Sequence, residues 1–176
     1  MSEGRQVVLL SGGVVRDSKT TAALRVVAGA LETEGIATRL ISLADHPLPF
    51  LMPTGPVPPE IEELRAIVED ADGIVTGSPE YHAAPSGALK NMIDCLSPKQ
   101  VGGKPVGLVA VCGSARGGTN TLNILRIVFR SLQAPVLVEQ AIVSDAEFEG
   151  VTVAAPAALA YLKRVAEGMA RELRRG

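Results

Sequence analysis

The chain of 176 residues has few aromatic side chains, few cysteines and no excess of positive charge. Aromatic residues make up 3% of it and tryptophan is absent, so there is neither a platform for stacking bases nor an interfacial aromatic belt. The formal net charge is -2, and the positive excess that binds nucleic-acid phosphates non-specifically is therefore missing. We expect no nucleic-acid partner.

Cysteine spacing and the lengths of the apolar runs exclude further classes of protein. Cys95 and Cys112 are isolated, with no CxxC pattern and no histidine nearby, so neither a disulfide framework nor a metal site is indicated. The first apolar run, residues 7–10, is too short for a secretory signal or a membrane span. We expect a cytoplasmic protein that does not contact a membrane.

The composition that is present is typical of a folded domain. Hydrophobic residues make up 47% of the chain and charged residues 20%, close to the average of soluble globular proteins. The length falls within the ~100 to 200 residues of one domain. We expect residues 1–176 to form a single domain with a packed core.

Short aliphatic runs alternate with amphipathic stretches five times along the chain, which is typical of βαβ units. The pattern predicts an α/β fold with a doubly wound, five-stranded parallel sheet in three α/β/α layers, and 2-1-3-4-5 is a common strand order for it. Pro59, Pro85 and Pro156 are predicted at helix starts, where a missing N–H costs nothing. The predicted strands are residues 6–11, 36–43, 73–77, 105–112 and 135–143.

Three loops of this fold are predicted to bind a ligand. In open parallel sheets, ligands bind beyond the carboxyl ends of the strands, near the point where the strand order reverses. This selects the loops after the first, third and fourth strands. The first loop is residues 11–18, the second is residues 78–85 and the third is residues 113–119, and all are rich in Gly, Ser, Thr or Pro.

A fourth segment, residues 44–59, is rich in proline and follows the second strand. It has two interpretations: a tethered surface loop that covers the sheet edge, or a subunit contact made by exposed apolar side chains. Its apolar residues include Leu48, Phe50, Leu51 and Met52.

The first loop leads into a helix whose opening turn is crowded with hydroxyl groups. A helix N-terminus offers free N–H groups and about half a positive charge, which suits a phosphate. Ser18 alone would serve as the N-cap, so the further hydroxyls of Thr20 and Thr21 favour a phosphate site. Lys19 or Arg16 would supply the countercharge.

The same residues nearly match the P-loop of nucleoside triphosphatases. Ser18 stands where the second glycine of that motif is required to wrap the β-phosphate. Asp145 is the one candidate for an acidic Mg²⁺ partner at another strand end. A nucleoside triphosphatase is therefore a minority interpretation.

The second and third loops have the character of a site for a flat ligand. Prolines stiffen both ends of the second loop, and its small residues leave space for a ring. Tyr81 and His82 there have two interpretations, a structural aromatic plug with a solvated histidine or a general base. The third loop offers backbone donors and the Arg116 guanidinium, or is a flexible turn with Thr119 as N-cap.

Two motifs identify a family resemblance. Residues 77–82 read Gly-Ser-Pro-Glu-Tyr-His, and residues 85–91 read Pro-Ser-Gly-Ala-Leu-Lys-Asn, followed by Asp94. With them the sequence resembles the NAD(P)H-dependent FMN reductases of the flavodoxin-like superfamily, from the first loop to about Phe148. The opening Gly-Gly-Val-Val-Arg of the first loop departs from the family's Gly-Ser-x-Arg.

The resemblance implies an activity, cofactors and partners. The activity is hydride transfer from NADPH or NADH to N5 of FMN, and electron transfer onward to a flavin, quinone or azo-type small molecule. The alternative is a flavodoxin-like electron carrier or flavin-binding module without NAD(P)H turnover. Family members commonly form dimers or tetramers, which implies a homodimer or homotetramer.

The resemblance also implies cofactor-binding residues on all three loops and requires no catalytic side chain, and the sequence contains no metal-ligand motif. The ribityl phosphate would be bound by Ser11, Arg16, Ser18, Lys19, Thr20 and Thr21. The isoalloxazine would be lined by Pro79, Glu80, Tyr81 and His82, and its pyrimidine side contacted by Gly113, Ser114, Arg116, Gly117 and Gly118.

Overall fold

A computed structural model describes residues 4–114 and 116–175 of the chain. A parallel sheet forms its centre, and its strands are β1 (Gln6–Ser11), β2 (Ala37–Ser42), β3 (Gly73–Tyr81), β5 (Val106–Cys112) and β6 (Val136–Ser144). Their order is β2-β1-β3-β5-β6, which is the predicted 2-1-3-4-5. Three short strands lie outside it: β4 (Ala84–Pro85) pairs antiparallel with the end of β3, while β7 (Phe148–Glu149) and β8 (Thr152–Val153) pair with each other.

Helices cover both faces of the sheet, so the predicted three-layer fold class is confirmed. The helices are α1 (Lys19–Thr33), α2 (Pro59–Asp70), α3 (Gly87–Asp94), α4 (Pro98–Val101), α5 (Thr119–Ser131) and α6 (Pro156–Leu173). Buried residues of α1 and α6 pack on one face, and those of α2, α3 and α5 on the other. Alternate residues of β1 join the two cores, Val7 and Leu9 on one side and Val8 and Leu10 on the other. This is why that strand is a continuous apolar run.

Pro59 and Pro156 are the first residues of α2 and α6, as predicted. The placement of Pro85 at a helix start is wrong, because Pro85 lies in β4 and pairs with Glu80. The helix behind it begins two residues later at Gly87, with Ser86 as its N-cap. The alternative of Thr119 as an N-cap is also wrong, since Gly118 holds that position.

β3 runs four residues beyond its predicted end. Ser78 and Pro79 continue the pairing with β5, and Glu80 and Tyr81 pair with β4, whereas the apolar pattern used for the prediction ends at residue 77. No helix in the described part of the chain has the length and apolar character needed to cross a bilayer.

Asp72 anchors the start of the sheet. Its carboxylate accepts hydrogen bonds from the Arg5 guanidinium at 2.8 Å and from the backbone N–H of Gln6 at 2.8 Å. Burial raises the pKa of Asp72, but the bonds from Gln6 and Arg5 outweigh it and hold the pKa below the ordinary 3.8. The ionised form is therefore favoured in the folded protein.

We expect Asp72→Asn to lower the free energy of unfolding at pH 7 by about 1 kcal/mol. The effect is small because the Arg5 side chain is partly exposed, so solvent weakens the ion pair. A lowered folded pKa stabilises above the unfolded pKa, so the difference from wild type should shrink as the pH falls below the ordinary 3.8. Urea denaturation between pH 3 and 7 measures it. Asp70→Asn, on the neighbouring end of α2, is the control and should change stability by less than about 0.5 kcal/mol. An equal effect of both variants would contradict the assignment.

Candidate functional site

The three loops that the sequence selected meet at the carboxyl ends of β1, β3 and β5. Together they border one cavity of about 440 Å³, a size typical of small-molecule and cofactor sites. It lies where the strand order reverses, as the topological rule requires.

Two glycines determine the path of the first loop. The N–H of Gly12 donates to the Gly77 carbonyl at 2.8 Å, and its carbonyl accepts from the Ser86 hydroxyl at 3.0 Å. A Cβ on Gly12 would come within 2.7 Å of Leu89 Cβ. A Cβ on Gly13 would overlap the Ser18 side chain, so only glycine lets the loop pass this closely.

The hydroxyl groups of the first loop divide into two layers. Ser18 caps α1 by accepting from the Thr21 N–H, and with Thr20 it lines the cavity. Ser11 and Thr21 are buried beneath the loop, where their hydroxyls bond to each other at 2.8 Å. The first hydrogen bond of α1 runs from Ala22 to the Ser18 carbonyl, so the amides before it have no helical partner.

Lys19 is held beside the cavity by residues from the other end of the chain. Its Nζ lies 3.1 Å from Asp145 Oδ1 and 5.2 Å from the centre of the Phe148 ring. Both Lys19 and Asp145 line the cavity. Arg16, the other predicted countercharge, is exposed on the loop and does not line it. Of the two predicted cations, Lys19 is the one that the fold places at the cavity.

The second loop ends in a strained hairpin turn. Tyr81 pairs with Ala84, which leaves the two-residue turn His82-Ala83 between them. Both turn residues have a left-handed backbone conformation, with φ of 50° and 59°. Asn and Gly are the residues usually found in this conformation in two-residue hairpin turns. The turn places Tyr81 at the cavity with 58% of its surface exposed, while His82 is exposed and outside the cavity lining.

Glu80 turns its carboxylate toward the third loop. Its Oε2 accepts from the Thr121 hydroxyl at 2.8 Å, and the backbone N–H groups of Gly118 and Thr121 further stabilise its charged form. Burial raises the pKa of Glu80, but these hydrogen bonds prevail and the pKa lies below its ordinary value. The residue is ionised at neutral pH and links the second loop to the start of α5.

The third loop contributes Gly113 to the cavity, while Ser114 and Arg116 are exposed. Cys112 lines the cavity just before the loop, and its thiol donates to the Ser114 carbonyl at 3.1 Å. Burial raises the pKa of the Cys112 thiol, which stays protonated at neutral pH. The third loop also contains Ala115, which lies outside the described residues.

The structure brings part of the predicted set to the cavity and adds residues that the sequence reasoning missed. The predicted residues in the lining are Ser18, Lys19, Thr20, Pro79, Glu80, Tyr81 and Gly113. The predicted residues outside it are Ser11, Arg16, Thr21, His82, Ser114, Arg116, Gly117 and Gly118. The lining residues absent from the predicted flavin-binding set are Gly13, Val14, Val15, Asp17, Val111, Cys112, Asp145 and Val151, of which Asp145 was considered only as a Mg²⁺ partner.

The segment 44–59 combines features of both interpretations given to it. Leu48 and Leu51 pack against the core, and the Asn91 side chain donates to the Pro49 carbonyl at 3.2 Å, so the segment is tethered. Phe50 and Met52 are 77% and 66% exposed. A second cavity of about 320 Å³ lies between this segment, β2 and α2, away from the three loops.

At the point where the strand order reverses, a glycine-containing loop leads into a helix whose first turn is lined with hydroxyl groups. These features are typical of doubly wound α/β proteins that bind a phosphate-bearing cofactor at that place. The family model of NADPH-dependent FMN reductase matches residues 5–148, and the chain belongs to this family. It is thus a flavin oxidoreductase with FMN and NADPH or NADH as cofactors, and its fold is flavodoxin-like.

Relatives agree with this assignment. An FMN-dependent NADPH-azoreductase of Staphylococcus haemolyticus is 30% identical over 80% of this chain and 78% of its own length. An NADPH azoreductase of Bacillus sp. is 42% identical over 47% of this chain, a match that spans 46% of that protein. A solved oxidoreductase structure from Corynebacterium diphtheriae shares the fold, with a TM-score of 0.80 at 22% identity over 99% of this chain and 100% of that one.

Proposed function

We propose that the cavity between the three loops holds FMN, and that the chain reduces it with NADPH or NADH and passes the electrons to a flavin, quinone or azo-type acceptor. The observation that carries this proposal is the meeting of all three loops around one cavity in a member of the FMN reductase family. The names of the azoreductase relatives support an azo compound as acceptor.

The cavity fits the anionic end of FMN. The free amides at the start of α1, the hydroxyls of Ser18 and Thr20 and the ammonium of Lys19 form a donor set of the kind that binds phosphate. Gly13 keeps this end of the cavity open, because a side chain there would fill the space beside Ser18. Ser11 and Thr21 support the loop from below and would act without touching the phosphate.

The remaining walls fit a flat ring. Pro79 and Tyr81 of the second loop and Gly113 of the third loop border the cavity. Bound FMN supplies the chemistry by accepting a hydride and releasing electrons, so the protein's task is to bind and orient it. Tyr81 is exposed enough for a second ring to approach from solvent. No acid or base on the protein is needed in this scheme.

A spectrum of the purified protein tests the proposal. We expect FMN added to apoprotein to raise the melting temperature, and anaerobic NADPH to bleach the flavin absorbance near 450 nm. Protein that neither binds FMN nor consumes NADPH would contradict the proposal. Stopped-flow mixing with NADPH separates the reductase from the alternative of a flavodoxin-like electron carrier. A carrier would bind FMN but show no fast hydride transfer from NADPH.

We further propose that the whole chain works as one domain in the cytoplasm, as a homodimer or homotetramer. The exposed Phe50 and Met52 on the tethered segment offer apolar surface for a subunit contact. Light scattering of the wild type should give a multiple of 18.3 kDa. A monomer at all concentrations would remove this proposal and leave the flavin chemistry untouched.

A further inference from the structure

Helix α5 begins without a cap of its own. Its N-cap is Gly118, which has no side chain to accept from the first-turn amides, and its first turn contains no acidic residue. A helix start of this kind leaves free N–H groups and about half a positive charge. For a 13-residue helix without a capping side chain, a partner from elsewhere in the fold is expected.

Glu80 is that partner, reaching across from the second loop. It accepts from the Thr121 hydroxyl at 2.8 Å, and the backbone amides of Gly118 and Thr121 favour its charged form, so one carboxylate from the second loop contacts the opening turn of α5. The neighbouring Gly117 accommodates it, since a Cβ there would come within 2.7 Å of Glu80 Oε1. Forty-one positions separate Glu80 from Thr121, so the contact depends on the tertiary fold.

The contact has a geometric consequence for the cavity. Glu80 lies between Pro79 and Tyr81, which border the cavity from the second loop, and Gly113 borders it from the third. The bond to α5 fixes the end of the third loop and hence the separation of these walls. A ring between them would be held at a set position.

The contact also has an electrostatic consequence. The positive end of α5 is close to the cavity and, unopposed, would favour the extra negative charge that a flavin gains on reduction. The ionised carboxylate of Glu80 compensates this charge. A full negative charge exceeds the half positive charge of the helix start, so the start of α5 presents a small net negative charge to a bound ring.

We propose that Glu80 is a positioning residue for the flavin, which holds the third loop against the second and, through its charge on the start of α5, keeps the reduction potential of bound FMN low. This rests on the proposed function, because it requires that FMN occupy the cavity. Its two parts, position and charge, make different predictions for two variants.

Glu80→Gln removes the charge and keeps an acceptor for Thr121. We expect the ratio of the dissociation constants of oxidised and reduced FMN to rise on the order of tenfold, equal to a potential about 30 mV more positive for two electrons. Thr121→Val removes one donor and keeps the charge. It should weaken oxidised FMN roughly threefold to tenfold with little change in potential, and Thr121→Ser should restore the affinity.

The measurements are FMN titration of apoprotein by fluorescence, and the midpoint potential of bound FMN from anaerobic titration against a reference dye. An unchanged potential in Glu80→Gln overturns the charge effect, and wild-type affinity in Thr121→Val overturns the positional one. Should Glu80→Gln not fold, the threonine pair still decides the positional part. Failure of the wild type to bind FMN would instead contradict the proposed function, so the two failures are distinguishable.

Discussion

Gly13→Ala is expected to weaken FMN binding by at least about 100-fold, or roughly 2.7 kcal/mol. The new Cβ would overlap the Ser18 side chain, so either Ser18 leaves its capping position on α1 or the first loop moves away from the helix. Both movements disturb the donors proposed for the phosphate. Loss of the cap alone should lower the free energy of unfolding by about 1 kcal/mol. Fluorescence titration of apoprotein and urea denaturation measure the two effects.

Gly29→Ala is the matched control for this substitution. Gly29 lies in α1, and a Cβ there meets nothing within 4 Å. Because alanine is the better helix former, the control should stabilise the protein by about 0.5 to 1 kcal/mol and leave FMN affinity unchanged. If Gly13→Ala binds FMN with wild-type affinity while folded, the first loop does not anchor the cofactor.

The sheet was predictable because its physical causes are local. Strands covered on both faces must be apolar throughout, as residues 7–10 are, and regular alternation with amphipathic segments leaves few topologies. The error at Pro85 falls where the backbone pairing of a tight hairpin overrides the signal from residue type. The residues around Pro85 are typical of a helix start, yet Pro85 pairs with Glu80 in a β-hairpin. The helix begins two residues later, after the Ser86 N-cap.

The candidate site was predictable at the level of loops and less so at the level of residues. The topological rule selected all three loops, since it depends only on strand order. The role of an individual residue depends on its partners in the folded chain. The hydroxyls of Ser11 and Thr21 form a hydrogen bond with each other, and Lys19 forms an ion pair with Asp145, 126 positions away. Asp145 and Val151 reach the cavity from the segment after β6; the sequence pointed to Asp145 only as a possible Mg²⁺ partner, and no motif marks Val151.

Ser86 shows how much of the site geometry depends on a residue outside the cavity lining. Its side chain caps α3 by accepting from the Leu89 N–H at 3.2 Å and donates to the Gly12 carbonyl at 3.0 Å. Its own N–H donates to the Ser78 hydroxyl at 2.9 Å. One buried serine thus joins the first loop, the second loop and the start of α3.

Ser86→Ala should therefore lower the free energy of unfolding by about 2 to 4 kcal/mol, the sum of a lost cap and a buried carbonyl left without its donor. For a chain of this length that corresponds to a fall in melting temperature of roughly 5 to 15 °C. FMN affinity should also drop, because Gly12 loses one of the two hydrogen bonds that hold the first loop in place and keeps only the bond to the Gly77 carbonyl.

Ser97→Ala provides the comparison, since Ser97 also caps a helix by accepting a backbone N–H. It caps the four-residue α4, away from the three loops, so we expect a loss of about 1 kcal/mol and unchanged FMN affinity. Calorimetry and flavin titration of both variants distinguish a serine that only caps a helix from one that also connects the first and second loops. Equal losses in the two variants would show that the bond from Ser86 to Gly12 adds nothing, and that the first loop holds its position without the second.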